Sequence, residues 1–211
     1  MLLGSKGPSM TKIYPWDYHP DLTEDRLKIV GAMLVDGRHA ALERYDEEAG
    51  DNGWTHGCRA FQFCRHRVLR AIDSGDLDWL TAIDRSLQLI FKIGDVPVRI
   101  YKGDAEEPTD RTLRRTFGEL RQLEILFPEH DEGRGLAYRF AVETDIDGSV
   151  LAVKFVGLRG EAAMLTWDVP LDDVSAFVGT VGRAATESVE LAPPNVGLRT
   201  DRDNAEGDSG A

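Results

Sequence analysis

The chain has 211 residues, of which 42% are hydrophobic and 29% charged, and a formal net charge of −12. This length suits one ordinary domain, the composition excludes wholesale disorder, and the negative charge works against indiscriminate adhesion to nucleic acid or anionic membrane. No apolar run approaches the ~20 residues of a membrane span, and the start lacks the apolar core of a secretory signal, so a cytoplasmic location without membrane contact is expected.

Residues 1–12 read as a disordered extension, residues 13–190 as a single α+β domain, and residues 191–211 as a disordered acidic tail almost free of large apolar side chains. The first segment of the domain, Tyr14 to Pro20, is a loop rich in aromatics and prolines. Its Trp16 and Tyr18 are expected to pack the N-terminal arm onto the domain. Asp21 or Thr23 then caps a helix with Leu27, Val30, Leu34, Ala41 and Tyr45 at helical spacing. That helix either runs to about Glu48 or breaks at Asp36-Gly37, because an interior glycine costs ~1 kcal/mol relative to alanine.

Thr55 caps a second predicted helix, which reaches Asp73, ends at Ser74-Gly75 and carries a core stripe of Phe61, Cys64, Val68 and Ile72. Asp76 or Asp78 opens a third helix through Lys92, with Leu80, Ile83, Leu87, Ile90 and Phe91 inward and Leu89 on the far side. Its end is apolar nearly all round, which predicts a central, buried helix. Val96 to Tyr101 alternates as a short strand, and Pro97 places it at a sheet edge or at a strand start. Thr109 caps a fourth helix with Leu113, Phe117, Leu120 and Ile125, and Pro170-Leu171-Asp172-Asp173 opens a last one with Val174, Phe177, Val178 and Val181 inward.

Between Leu136 and Val169 three alternating runs form a β-meander. A two-residue Asp147-Gly148 turn pairs Thr144 with Leu151, Val142 with Val153, Phe140 with Phe155 and Tyr138 with Gly157. A three-residue loop, Leu158-Arg159-Gly160, then pairs Phe155 with Ala163, Val153 with Leu165 and Leu151 with Trp167. One face thus gathers Phe140, Val142, Leu151, Val153, Phe155, Leu165 and Trp167. The opposite face, with Arg139, Ala141, Glu143, Ala152, Lys154 and Val156, is expected to be half wet or partly covered. The resulting fold is α+β: a small antiparallel sheet of about four strands with about five helices packed mainly on one face.

Three constellations carry possible chemistry. Glu143, Asp145 and Asp147 alternate at the hairpin tip, the residue types of an oxygen-ligand metal site, and define an alternative reading as a metal-dependent hydrolase or nuclease. With Lys154 they resemble the hairpin of restriction-type nucleases, although Ala152 stands where a carboxylate is needed. His56, Cys58, Cys64 and His66 have zinc-ligand chemistry, yet on one continuous helix they point in widely different directions. Cys58 and Cys64, about 120° apart on that helix, do not form a disulfide, which suits a reducing compartment. Arg59 and His66 form an R-x₆-H spacing similar to the catalytic motif of HEPN ribonucleases. Ala60 follows the arginine in place of the usual polar residue and those folds are all-helical, so the function is not carried over.

No glycine-rich phosphate loop, Ser-x-Gly elbow or H-E-x-x-H is present, and no cofactor is expected. The expectation is a non-catalytic interaction or regulatory domain with a protein partner, nucleic acid being a second class of partner. The candidate surface is the polar side of the second helix. Stepping 100° per residue from Arg59 brings His66 and Arg70 within about 20° of it, Phe63 near 40° and Arg67 near 80°. An aromatic ring among basic side chains suits an acidic segment or a nucleic-acid strand.

Overall fold

The computed structural model describes residues 13–113, 119, 135–160 and 162–171. A six-stranded sheet lies under two long helices, which pack on one of its faces. Among the described residues no helix is long and apolar enough to cross a membrane.

Helix α1 (Pro15–Tyr18) is a single turn within the expected aromatic loop. Its Trp16 ring stacks on Tyr14 at 4.8 Å and meets Trp167 edge-on at 5.6 Å, so the arm is packed onto the domain as anticipated. Helix α2 (Glu24–Leu42) is capped by Thr23, whose hydroxyl accepts the Arg26 N–H. It passes through Gly37 without breaking, and the reason is tertiary: a Cβ on Gly37 would lie 2.8 Å from Cα and N of Cys64. The absent side chain lets α3 approach, and this contact offsets the weak helix propensity of glycine. Helix α3 (Gly53–Ser74) starts three residues before the expected boundary, capped by Asn52 rather than Thr55. Asn52 accepts the N–H groups of Trp54 and Thr55, and Thr55 returns a hydroxyl to Asn52 N–H, a reciprocal cap. Gly75, left-handed at φ 73°, ends it as predicted.

The third predicted helix is instead a hairpin, β1 (Leu80–Asp84) and β2 (Ile90–Ile93). Leu80, Ile83, Leu87 and Ile90 satisfy a helical period, but the β-branched and aromatic runs on either side of Arg85-Ser86 also read as two strands. Pairing into the sheet decided between them. Ile83 and Leu87 are therefore exposed rather than inward, Leu87 to 70%, while Leu89, assigned to the far side, is fully buried.

Strand β3 (Val96–Lys102) is third in the order β1-β2-β3-β4-β5-β6, so it is not an edge, and Pro97 stands at its start, as the second of the two expectations had it to within one residue. Pro97 is tolerated because β4 pairs with β3 only from Val98 onward, so the missing N–H falls outside that ladder. The β3–β4 pair is parallel, and the sheet is mixed, with six strands rather than the antiparallel four expected.

Strands β4 (Ala137–Thr144), β5 (Val150–Arg159) and β6 (Ala162–Asp168) form the meander. Val142–Val153, Phe140–Phe155 and Tyr138–Gly157 pair as predicted. At the tip the register shifts: Thr144 faces Val150, not Leu151. Asp145 accepts the Gly148 N–H and donates its own to Ser149 O, which makes a three-residue loop in place of the two-residue turn. Leu151 is consequently 67% exposed instead of in the core. In the second hairpin Phe155 pairs with Trp167 and Gly157 with Leu165, four residues from the predicted register. A bulge opposite Gly157-Leu158 restores the parity lost at the turn, so Leu165 and Trp167 still point into the core.

The helix-covered face holds Phe91, Val98, Tyr138, Phe140, Val153, Phe155, Leu165 and Trp167 against Leu27, Val30, Leu34, Cys64 and Val68, as the face bearing Phe140, Phe155 and Trp167 was expected to do. On the other face Ala105, Ala137, Ala141, Val156 and Leu158 form a second cluster. There Arg139 and Glu119, each only 2% exposed, make a 2.5 Å ion pair, and Arg99 reaches the same carboxylate at 3.5 Å. Glu143, Ala152 and Lys154 remain half-buried, so that face is partly covered. Helix α4 is described only as Asp110–Leu113, with Glu119 also helical. The remainder of the fourth predicted helix, the last helix from Asp172 and both termini lie outside the described residues.

Candidate functional site

Helix α3 is the most basic element of the chain, and its outer face carries the residues singled out from the sequence. His66 and Arg70 are exposed, and Arg59, Phe63 and Arg67 are half-buried. The structure brings these side chains onto one surface and supplies counter-charges that helical spacing alone does not reveal. Arg59 grips Asp51 with two hydrogen bonds of 2.7 and 2.9 Å and donates a third, of 2.6 Å, to the carbonyl of Arg44. That guanidinium, then the Asp46 N–H, holds the Asp51 carboxyl down to about 2, and in return raises the Arg59 pKa further. Arg67 meets Asp36 of α2 at 2.5 Å. Arg44 stands over the Phe63 ring, 5.4 Å from its centre, so a cation already covers one side of the aromatic.

At the β4–β5 tip the three carboxylates do not converge. Glu143 pairs with Lys154 at 3.0 Å, raising the lysine pKa, and accepts the Ala105 N–H. Asp147 accepts the Ser149 N–H and hydroxyl, which lowers its pKa, and Asp145 accepts the Ile146 N–H. These bonds shape the loop. Among the described residues no group of three or more His, Cys, Asp or Glu side chains is arranged to hold a metal ion. The same holds for the His-Cys array: Cys58 is exposed, while Cys64 is buried and donates to the Leu34 carbonyl at 3.3 Å. Burial pushes the Cys64 thiol up to about 11, so it is neutral and unreactive at neutral pH. Arg59 and His66 share a face, but Arg59 is committed to Asp51.

The residue that sequence reasoning missed is Arg38. It continues the α2 stripe Leu34-Arg38-Ala41, and a charged residue at a core position was the available signal. It is 5% exposed, and its Nη1 has no hydrogen-bond partner among the described residues. His56, the buried residue in the first turns of α3, likewise has neither ring nitrogen paired. It rests edge-on against Tyr45 at 5.7 Å and over Gly148. Arg38 lines a cavity of about 80 Å³ that opens between α2, α3 and the C-terminal ends of the parallel strands β3 and β4. The chain matches no protein-family model, and neither the curated proteins nor the solved structures provide a match to it.

Proposed function

We propose that this protein is a non-catalytic interaction domain that docks an acidic segment of a partner protein on the outer face of α3. The observation that carries this reading is one of sign. On a chain of net charge −12, this face gathers Arg59, His66, Arg67 and Arg70, with Arg44 across the Phe63 ring. Asp51 and Asp36 fix the directions of Arg59 and Arg67 and thereby reduce the side-chain entropy lost when a partner binds. Arg70 provides an exposed charge and His66 an exposed imidazole, and the Arg44–Phe63 stack provides a flat apolar rim. A carboxylate-rich segment with one large apolar side chain answers both features, pairing with the cations and covering the ring. The net negative charge of the rest of the molecule disfavours a polyanion as long as a nucleic acid and tolerates a short acidic segment.

Fluorescence anisotropy with a labelled peptide of glutamates around a single phenylalanine tests the reading, with a lysine counterpart and a single-stranded oligonucleotide as comparisons. Saturable binding of the acidic peptide is expected, weakening as salt shortens the Debye length from ~10 Å at 0.1 M to ~3 Å at 1 M. Equal binding of the lysine peptide would overturn the proposal, and tighter binding of the oligonucleotide would reassign the face to nucleic acid.

A further inference from the structure

The cavity beneath α3 is separate from its outer face and carries an inference of its own. Its charged lining residues are Arg38 from α2 and Lys102 from the end of β3; Phe61, Ile100 and Val142 form apolar walls, and Gly57 stands where an added Cβ would meet open space. Among the described residues no carboxylate lines it. A guanidinium that is 5% exposed with an unpaired Nη1 is a buried charge without a counter-ion. Burial lowers the Arg38 pKa, and the one neighbour that favours its charge is the Cys64 thiol, which is itself neutral. Buried charges in native proteins are as a rule paired, and an anion in the cavity would supply the partner that Nη1 lacks.

We infer that the cavity is a binding site for a small aliphatic carboxylate, its head held by Arg38 with Lys102 at the rim and its short hydrocarbon body against Phe61, Ile100 and Val142. Size and polarity select this class. A cavity of about 80 Å³ has room for several waters, each of which needs ~10–15 Å³ on this measure, and so for a small carboxylate with a short hydrocarbon body. An inorganic phosphate would leave the apolar walls of Phe61, Ile100 and Val142 without a partner. A carboxylate presents two oxygens to the guanidinium and only hydrocarbon elsewhere. Phe61 and Cys64 reach the cavity from the inner side of α3, away from the outer face that carries His66 and Arg70.

The test is thermal unfolding of the full chain in increasing propionate, with phosphate and chloride at matched ionic strength. A ligand that binds only the folded state raises the midpoint as its concentration passes Kd. The expected result is a saturable rise with propionate that neither other anion reproduces. Arg38→Met, which removes the buried charge and keeps the length of the side chain, should be at least as stable as wild type without ligand and should abolish the rise. Lys102→Ala, at an exposed position, should leave the ligand-free midpoint unchanged and shift the propionate curve to several-fold higher concentration. An equal rise with chloride or phosphate, or a propionate rise that survives in Arg38→Met, would overturn the assignment.

Discussion

The imidazole of His56 lies over Gly148, so that a Cβ at Gly148 would stand 2.5 Å from Nε2 and 3.0 Å from Cδ2. This contact seats the β4–β5 hairpin tip on the first turns of α3, and Gly148 is left-handed there at φ 91°. Gly148→Val therefore meets two obstacles, backbone strain of ~1–3 kcal/mol and overlap with a buried ring of ~1–3 kcal/mol. A loss of at least ~1 kcal/mol in urea unfolding is expected from strain alone. His56→Ser combined with Gly148→Val should recover the overlap part and leave the strain. An unchanged midpoint in the single variant would contradict this placement of the turn.

Acid should weaken the same contact. Burial, then the cations Arg38, Lys102 and Arg59, hold His56 below its usual 6.5, while Asp51 pulls the other way. The unfolded chain thus takes up this proton first. The stabilising contribution is complete above pH 6.5 and is lost as pH falls through the folded value. Asp21, Asp51 and Asp147 are held below the usual 3.8, so their contributions disappear only in more acidic solution. Urea midpoints should fall between pH ~7.5 and ~5.5 in wild type, and His56→Gln should flatten that slope. Equal slopes in the two proteins would exclude His56 as the source.

Gly37→Ala sets two effects of opposite sign against each other. Helix propensity alone favours alanine by ~1 kcal/mol, but the new Cβ would lie 2.8 Å from Cα and N of Cys64, backbone atoms of a packed helix that cannot yield as a side-chain end does. Overpacking of this kind costs ~1–3 kcal/mol, so net destabilisation is expected in chemical unfolding. Increased stability would show that α2 and α3 are not in close contact at this point.

Much of the helix-covered face was legible because period-2 alternation fixes sidedness even when register is wrong. Leu165 and Trp167 kept their face through a four-residue register error, since the bulge opposite Gly157-Leu158 restored parity. Leu151 did not, because the irregularity at Thr144 falls within its own pairing. The β1–β2 hairpin was illegible from periodicity: Leu80, Ile83, Leu87 and Ile90 fit a helix, and only pairing of β2 with β3 through Phe91–Val98 decides for strands. A similar limit applies to the α3 face. The helical wheel gathers Arg59, Phe63, His66, Arg67 and Arg70, but Asp51 and Asp36 reach it from a loop and another helix, and no local pattern encodes them. Arg38 was the opposite case, a charge standing visibly in an apolar stripe.

The most direct test of acidic-segment docking places negative charge at the two exposed basic residues of α3. His66→Glu with Arg70→Glu changes no core residue, so the thermal midpoint should stay within a few degrees of wild type. Anisotropy with the same acidic peptide should show affinity reduced about tenfold or more, since that corresponds to ~1.4 kcal/mol and surface charge pairs contribute ~0.2–1 kcal/mol each before the added repulsion. A folded double variant that binds the acidic peptide with wild-type affinity would contradict the account.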